Sequence, residues 1–331
     1  MASKLRIAAM ALLIAQACVG PEIVIGDPRI GEEGRVKFTG GGCASSSSTT
    51  LAVGSTQPLT LEPQGDATLP GDLSVDSTAP TVIAARAGST TDEVVLEAQR
   101  TGDAVVELRS GGAVWDQLAF RAEPAASVDY DAADAVFAGG TVFLKVTEVH
   151  GACGEDCPLL GEGFVRWSAE PAAGLVLQRD LGGVASFTAS AAGNVHLLGQ
   201  EPSAGALLVD HPLEVVPAAD AGALQAWIIV MLPDETVLDA QPLPADVPAG
   251  SLFLVELRAT AGARVVPLAG ADVTWTVEGD VGAVEEYTTG DPPPPEGSLF
   301  SAVAAGAVTL VADVPLLGRT ARFPLTVTAA L

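Results

Sequence analysis

The segment Thr141–Val149 reads TVFLKVTEV, and its apolar positions Val142, Leu144 and Val146 alternate with Lys145 and Thr147. Residues two apart share one face of a strand, so the pattern predicts a strand with one buried face. Ser251–Ala259 (SLFLVELRA) repeats it, with Phe253, Val255 and Leu257 on one face and Glu256 and Arg258 on the other. Elsewhere, short runs of Val, Leu and Thr are broken by Gly, Pro, Asp and Ser. No capped stretch of a dozen residues places apolar side chains three and four apart. The fold class is therefore all-β.

The strand pattern recurs in longer blocks. FTASAAGNVHL (Phe187–Leu197) and FSAVAAGAVTL (Phe300–Leu310) lie 113 residues apart. The likeness extends upstream through FVRWSAEPAAGLVL and DVTWTVEGDVGAVE, which align Trp167 with Trp275, and through AGGTVFLKV (Ala138–Val146) and AGSLFLVEL (Ala249–Leu257). Downstream, HPLEVV corresponds to FPLTVT. A fainter copy precedes both, in VGSTQPLTL (Val53–Leu61), LSVDS (Leu73–Ser77) and LEAQRTGDAVVEL (Leu96–Leu108). The units span residues 34–125, 126–217 and 222–331, a size suited to β-sandwich domains and too large for solenoid repeats. Short joints, AEPAAS and VPAADAGA, predict a semi-extended rod. Trp167 and Trp275 are expected core residues. Gly102, Gly193 and Gly306 are expected at tight connections that need positive φ, with the Ala191-Ala192 and Ala304-Ala305 methyls tucked beneath.

The recurring phrase G-S/T…L…V-x-W-x-V-E…F-x-A…A-A-G-x-V-x-L resembles the group-2 bacterial immunoglobulin-like domains. The resemblance covers about 290 residues and is closest in the second and third units. It implies three tandem Ig-like β-sandwiches used as spacers, adhesion modules or appendages of exported proteins. It implies nothing about a ligand, since fold does not carry function.

The chain has 331 residues and a net charge of -25, with 16 Lys and Arg against 41 Asp and Glu. No basic cluster is present to displace counterions from phosphates, which argues against nucleic-acid partners and against charge-driven binding to anionic lipid. The acidity reads first as a solvated surface. One stretch, VDYDAADAVFAGG, offers Asp129, Asp131 and Asp134 as calcium ligands near the first joint, although the spacing of a calcium-binding hand is missing.

The N-terminus reads MASKLRIAAMALLIAQAC. Lys4 and Arg6 precede an uncharged run of eleven residues, too short for a permanent span, and Ala15-Gln16-Ala17 is a small-x-small cleavage pattern. Residues 1–17 are read as a secretory signal peptide and 18–33 as a tether. The segment resembles a bacterial lipoprotein signal, which implies acylation of Cys18 and attachment to the membrane through that lipid, in the cell envelope at the outer membrane or cell surface. It departs from that pattern at Ala15 and Gln16. Ordinary cleavage leaves Cys18 as a thiol able to pair with Cys43.

Cys153 and Cys157 in HGACGEDCP fit a small disulfide in an exported protein. The competing reading makes His150, Cys153 and Cys157 metal ligands, with Glu155 or Asp156 as a fourth, but structural zinc favours two short ligand pairs. His196 is expected on a sheet face. Nucleophile-elbow, zinc-protease and phosphate-loop motifs are absent, so no catalytic residue and no cofactor is assigned. The segment TTGDPPPPEG is expected as a stiff surface loop. These features together read as a non-enzymatic spacer or adhesion stalk with an unspecified protein or glycan partner. The alternative is a subunit of a larger extracellular assembly joined through strand edges.

Overall fold

The computed structural model describes residues 30–39, 48–180, 184–202, 205–231, 237–280, 284–287 and 298–329. The expected signal segment 1–17, Cys18, tether residues 19–29, Cys43 and the proline segment 288–297 lie outside them. The described residues form β-strands joined by turns, with three single-turn 3-10 segments.

Six sheets sort into three pairs of the same design. In the first sandwich, one sheet runs in the order Val36–Thr39, Thr56–Pro63, Glu93–Ala98, Ile83–Ala87. Its partner runs Thr50–Ala52, Ala113–Glu123, Gly102–Ser110, Ser74–Ser77. The second sandwich sets Ser127–Ala132, Thr141–Gly151, Val184–Ala189 and Leu175–Asp180 against Ala135–Phe137, Leu207–Val216, Gly193–Gln200 and Arg166–Glu170. The third sets Ala221–Met231, Leu252–Ala261, Ser298–Ala302 and Val284–Tyr287 against Asp246–Pro248, Arg319–Thr328, Gly306–Val314 and Thr274–Gly279. This is the immunoglobulin-like arrangement of two facing antiparallel sheets.

In each sandwich a three-residue strand pairs in parallel with the end of the last strand: Thr50–Ala52 with Arg121–Glu123, Ala135–Phe137 with Glu214–Val216, and Asp246–Pro248 with Thr326–Thr328. Each short strand thus lies at the pole where the last strand ends, while the chain enters the second and third sandwiches at the other pole, where Ser127 pairs with His150 and Ala221 with Ala261 at the far ends of Thr141–Gly151 and Leu252–Ala261.

Burial follows the alternation. Val142, Leu144 and Val146 face one core, and Phe253, Val255 and Leu257 face another. The repeated Trp and Phe meet in both later sandwiches. Trp275 lies edge-on to Phe300 at 6.1 Å, and Trp167 edge-on to Phe187 at 6.4 Å. Trp275 is buried, whereas Trp167 is half-buried at the margin of its core. The first sandwich lacks this pair and fills its centre with Phe38 edge-on to Phe120, 6.0 Å apart. Such aromatic pairs each contribute about 0.5–1.5 kcal/mol beyond their burial.

The glycine expectation is met in two of three places. Gly102 and Gly193 have φ of 147° and 139°, but Gly306 is not among the positive-φ glycines; it sits in ladder pairing opposite Val327. The neighbouring alanines are exposed, not tucked under the turn, because the strand leaves the sheet there and points the methyls to water.

Candidate functional site

The poles where one sandwich meets the next hold the most repeated geometry in the molecule. At the outgoing pole of each sandwich, a glycine turns the chain from the short parallel strand into the next long strand. Gly54, Gly139 and Gly250 have φ of 87°, 87° and 90°, a region open to glycine without a Cβ penalty. Each donates its amide to the end of a strand across the sheet, namely Ala98 O, Ala189 O and Ala302 O, at 2.7 Å in all three cases.

The following sandwich closes on that turn with the loop that precedes its Trp strand. At the first joint, Thr56 and Glu162 exchange backbone hydrogen bonds, both at 2.9 Å, and Leu160 donates to Thr50 O while accepting from Ala52 N. Gly161 (φ 116°) lies over Ser55, and a Cβ there would collide with the Ser55 side chain. At the second joint the loop contains the 3-10 turn Gly270–Asp272. The Asp272 carboxylate accepts from the Thr141 amide at 2.6 Å and from Thr141 Oγ1 at 2.9 Å. Thr56 and Thr141 occupy the same position of the repeat. The buried clusters touch across both joints: Leu160 joins the first core, Ala52 and Ala125 the second, and Ala135 and Phe137 the third. An Arg264–Glu214 ion pair also spans the second joint. In the third sandwich the matching residue, Leu252, is paired on both sides by strands of its own sandwich, opposite Met231 and Ser301.

A cavity of about 260 Å³ lies at the second joint, walled by Val136, Phe143, Pro267 and Leu268 and rimmed by Lys145 and Glu256. Glu162, at the first joint, has its carboxyl raised above the ordinary glutamate range by burial. Burial, with Asp210 and Asp134 nearby, raises the Tyr130 phenol.

Cys153 and Cys157 form a disulfide with Cα atoms 5.5 Å apart, within the usual span for such a bridge. It closes the hairpin between Thr141–Gly151 and Gly154–Pro158. With both sulfurs in the bridge, the reading that made them metal ligands beside His150 does not describe this structure. His150 instead sets its Nε2 beside the Asp129 and Glu148 carboxylates.

The three aspartates considered for calcium go to different partners. Asp129 Oδ2 is 3.1 Å from His150 Nε2. Asp131 sits opposite Lys145 across the sheet. Asp134, 93% exposed, lies 3.9 Å from His211 Nε2. Among the described residues, one group of three His, Cys, Asp or Glu side chains converges: Asp129, Glu148 and His150, with ligand atoms all within 4.8 Å. A β-bulge makes this group. The register between Thr141–Gly151 and Ser127–Ala132 shifts between Val146 and Glu148. Val149 then continues the buried face, and Glu148 and His150 share the opposite face with Asp129. The sequence carries a signal for this, since Val146 and Val149 are three apart where strict alternation demands two. His196, as expected, stands half-exposed on a sheet, 2.6 Å from Asp210 Oδ1.

No protein-family model matches the chain, and no curated protein sequence matches it. Solved structures resemble it at low identity. Domains 4–9 of the surface layer protein SbsC align over 89% of this chain with 15% identity and a TM-score of 0.32. The chain spans about half, 48%, of that fragment. The Escherichia coli adhesin FdeC aligns over 85% of this chain and 94% of its own, with 14% identity and a TM-score of 0.27. Invasin, described as a bacterial integrin-binding protein, aligns over 84% of this chain and 57% of its own, with 12% identity and a TM-score of 0.24.

Proposed function

We propose that this chain is an exported, non-enzymatic surface stalk. In this reading, sandwiches at 34–125, 126–217 and 222–331 are joined pole to pole and tethered to the envelope by lipid on Cys18. They hold the far end of the third sandwich away from the membrane for spacing or adhesion. The observation that carries the reading is the repeated closure at both joints, where a loop of one sandwich bonds Thr56 or Thr141 of the sandwich before it. A protein whose task is to set a distance needs joints of this kind. The charged leader, cleavage pattern and Cys18 support export and anchoring.

Metabolic labelling with palmitate and protease shaving of intact cells test this reading together. The wild-type chain is expected to take label and to be cut from outside, and Cys18→Ser to take none. An unlabelled wild-type chain removes the anchor, and resistance to shaving removes the surface location.

A second reading, as a subunit of a larger assembly, draws on the edge strand Leu175–Asp180, where Val176 and Leu177 are 51% and 44% exposed. Native mass analysis of extracted material separates the two, giving a monomer for a stalk and a stoichiometric complex for a subunit.

A further inference from the structure

We propose that Asp129, Glu148 and His150 form a binding site for a divalent transition-metal cation of the zinc type, at the pole of the second sandwich that faces the first. The site stands apart from the stalk reading and does not depend on it.

Backbone register sets the geometry. Asp129 lies directly opposite Glu148 on adjacent antiparallel strands, and His150 follows Glu148 by two residues on the same face. Two carboxylates directly opposite one another repel, and the bulge beside Glu148 is what brings them together; bulges re-aim side chains in this way. The His150 ring is buried, with 3% of its surface exposed, and its Nε2 points at both carboxylates, 3.1 Å from Asp129 Oδ2 and 3.7 Å from Glu148 Oε2. Its buried Nδ1 has no hydrogen-bond partner, so the polar contacts of the ring all run through Nε2. The two carboxylates are 63% and 56% exposed. The group is thus a fixed nitrogen at the base of an open pair of oxygens, reachable from solvent.

The spacing fits a small cation. Four ligands placed tetrahedrally about 2.1 Å from zinc stand roughly 3.4 Å from one another, and the two separations from Nε2 fall on either side of that figure. The donor set selects the metal class. Imidazole nitrogen suits zinc, copper, nickel and iron, whereas calcium calls for six to eight oxygens. Two carboxylates and one imidazole leave a position for water. A bound cation cancels the Asp129–Glu148 repulsion and ties the strand Ser127–Ala132 to Thr141–Gly151. The strand Thr141–Gly151 reaches the first sandwich at its end, where a Cβ on Gly151 would lie 3.2 Å from Glu123 Oε2, and Pro158 of its hairpin partner accepts from Ser48 Oγ of the first sandwich at 2.8 Å.

The test is titration of the full chain with zinc chloride against a chromophoric chelator, together with thermal melts, for wild type, Asp129→Asn, Glu148→Gln and Asp131→Asn. Wild type is expected to bind one zinc saturably and to melt higher when loaded. Asp129→Asn and Glu148→Gln should each weaken binding by at least the roughly tenfold that loss of an outer-sphere partner costs. Both change exposed carboxylates, so their metal-free melts should stay near wild type. Asp131→Asn should bind as wild type does. The proposal is overturned by absence of saturable binding, by binding that survives both cluster substitutions, or by calcium displacing zinc at equal concentration.

Discussion

Asp272 and Thr141 lie 131 residues apart in sequence and are joined by two hydrogen bonds, from the Thr141 amide at 2.6 Å and from its hydroxyl at 2.9 Å. The acceptor belongs to the third sandwich and the donors to the second. Both bonds are partly buried, and bonds to a charged acceptor contribute about 1.5–3 kcal/mol.

Asp272→Ala should therefore weaken the second joint by about 2 kcal/mol while leaving each sandwich core intact. Limited proteolysis should show faster cleavage near Val216–Ala223, and hydrogen exchange should rise at Thr141. Thr141→Val removes only the hydroxyl bond and should have a smaller effect in the same direction.

Asp116 plays the comparable part inside the first sandwich. Its side chain is fully buried and accepts from the amides of Glu33, Arg35, Val36 and Gln117 at 2.8–3.0 Å. Asp116→Ala should strand these donors and cost about 3 kcal/mol or more, since unmade buried bonds are expensive. Amide exchange along Val36–Thr39 should speed up before exchange elsewhere. Gly31→Ala should act on the same spot, because a Cβ at residue 31 would meet the Asp116 carboxylate.

Glu162 gives the first joint a pH dependence. Burial raises its carboxyl above the ordinary range, so the folded chain holds this proton more tightly than the unfolded chain does. Its contribution is most favourable at low pH, declines as pH rises from the ordinary glutamate range through the raised value, and is flat above it. Denaturant melts of Glu162→Gln should show higher stability than wild type at neutral pH, with the difference closing as pH falls. A difference that widens on acidification would show that the carboxylate is favoured by folding.

Reduction of Cys153–Cys157 should destabilise the second sandwich by about 2 kcal/mol, the chain-entropy value for a loop of this length. Melts with and without reductant test this, and the Cys153→Ala, Cys157→Ala double variant should match the reduced chain and stop responding to reductant.

The sequence was informative wherever the physics was local. Strand alternation in TVFLKV and SLFLVEL placed Val142, Leu144, Phe253 and Val255 on buried faces, and the duplicated Trp and Phe meet as duplicated pairs. Chemistry that depends on two strands meeting was less visible. Asp129 and His150 could each be named as a candidate ligand, but in different sets, because their meeting with Glu148 depends on a bulge that changes the parity of the strand. Asp272 carries no sequence mark of its role, because its partner belongs to another sandwich. Gly306 shows the reverse error: its repeat position matches Gly193, yet its backbone follows the ladder opposite Val327 without positive φ.

Small-angle scattering from the purified chain tests the central claim, that sandwiches with entry and exit at opposite poles are held in line by the closures at Thr56 and Thr141. Three modules of strand length about 35 Å set end to end should give a maximum dimension of roughly 100 Å and a radius of gyration of about 30 Å. A radius near 20 Å, the value for a compact globule of this length, would contradict it.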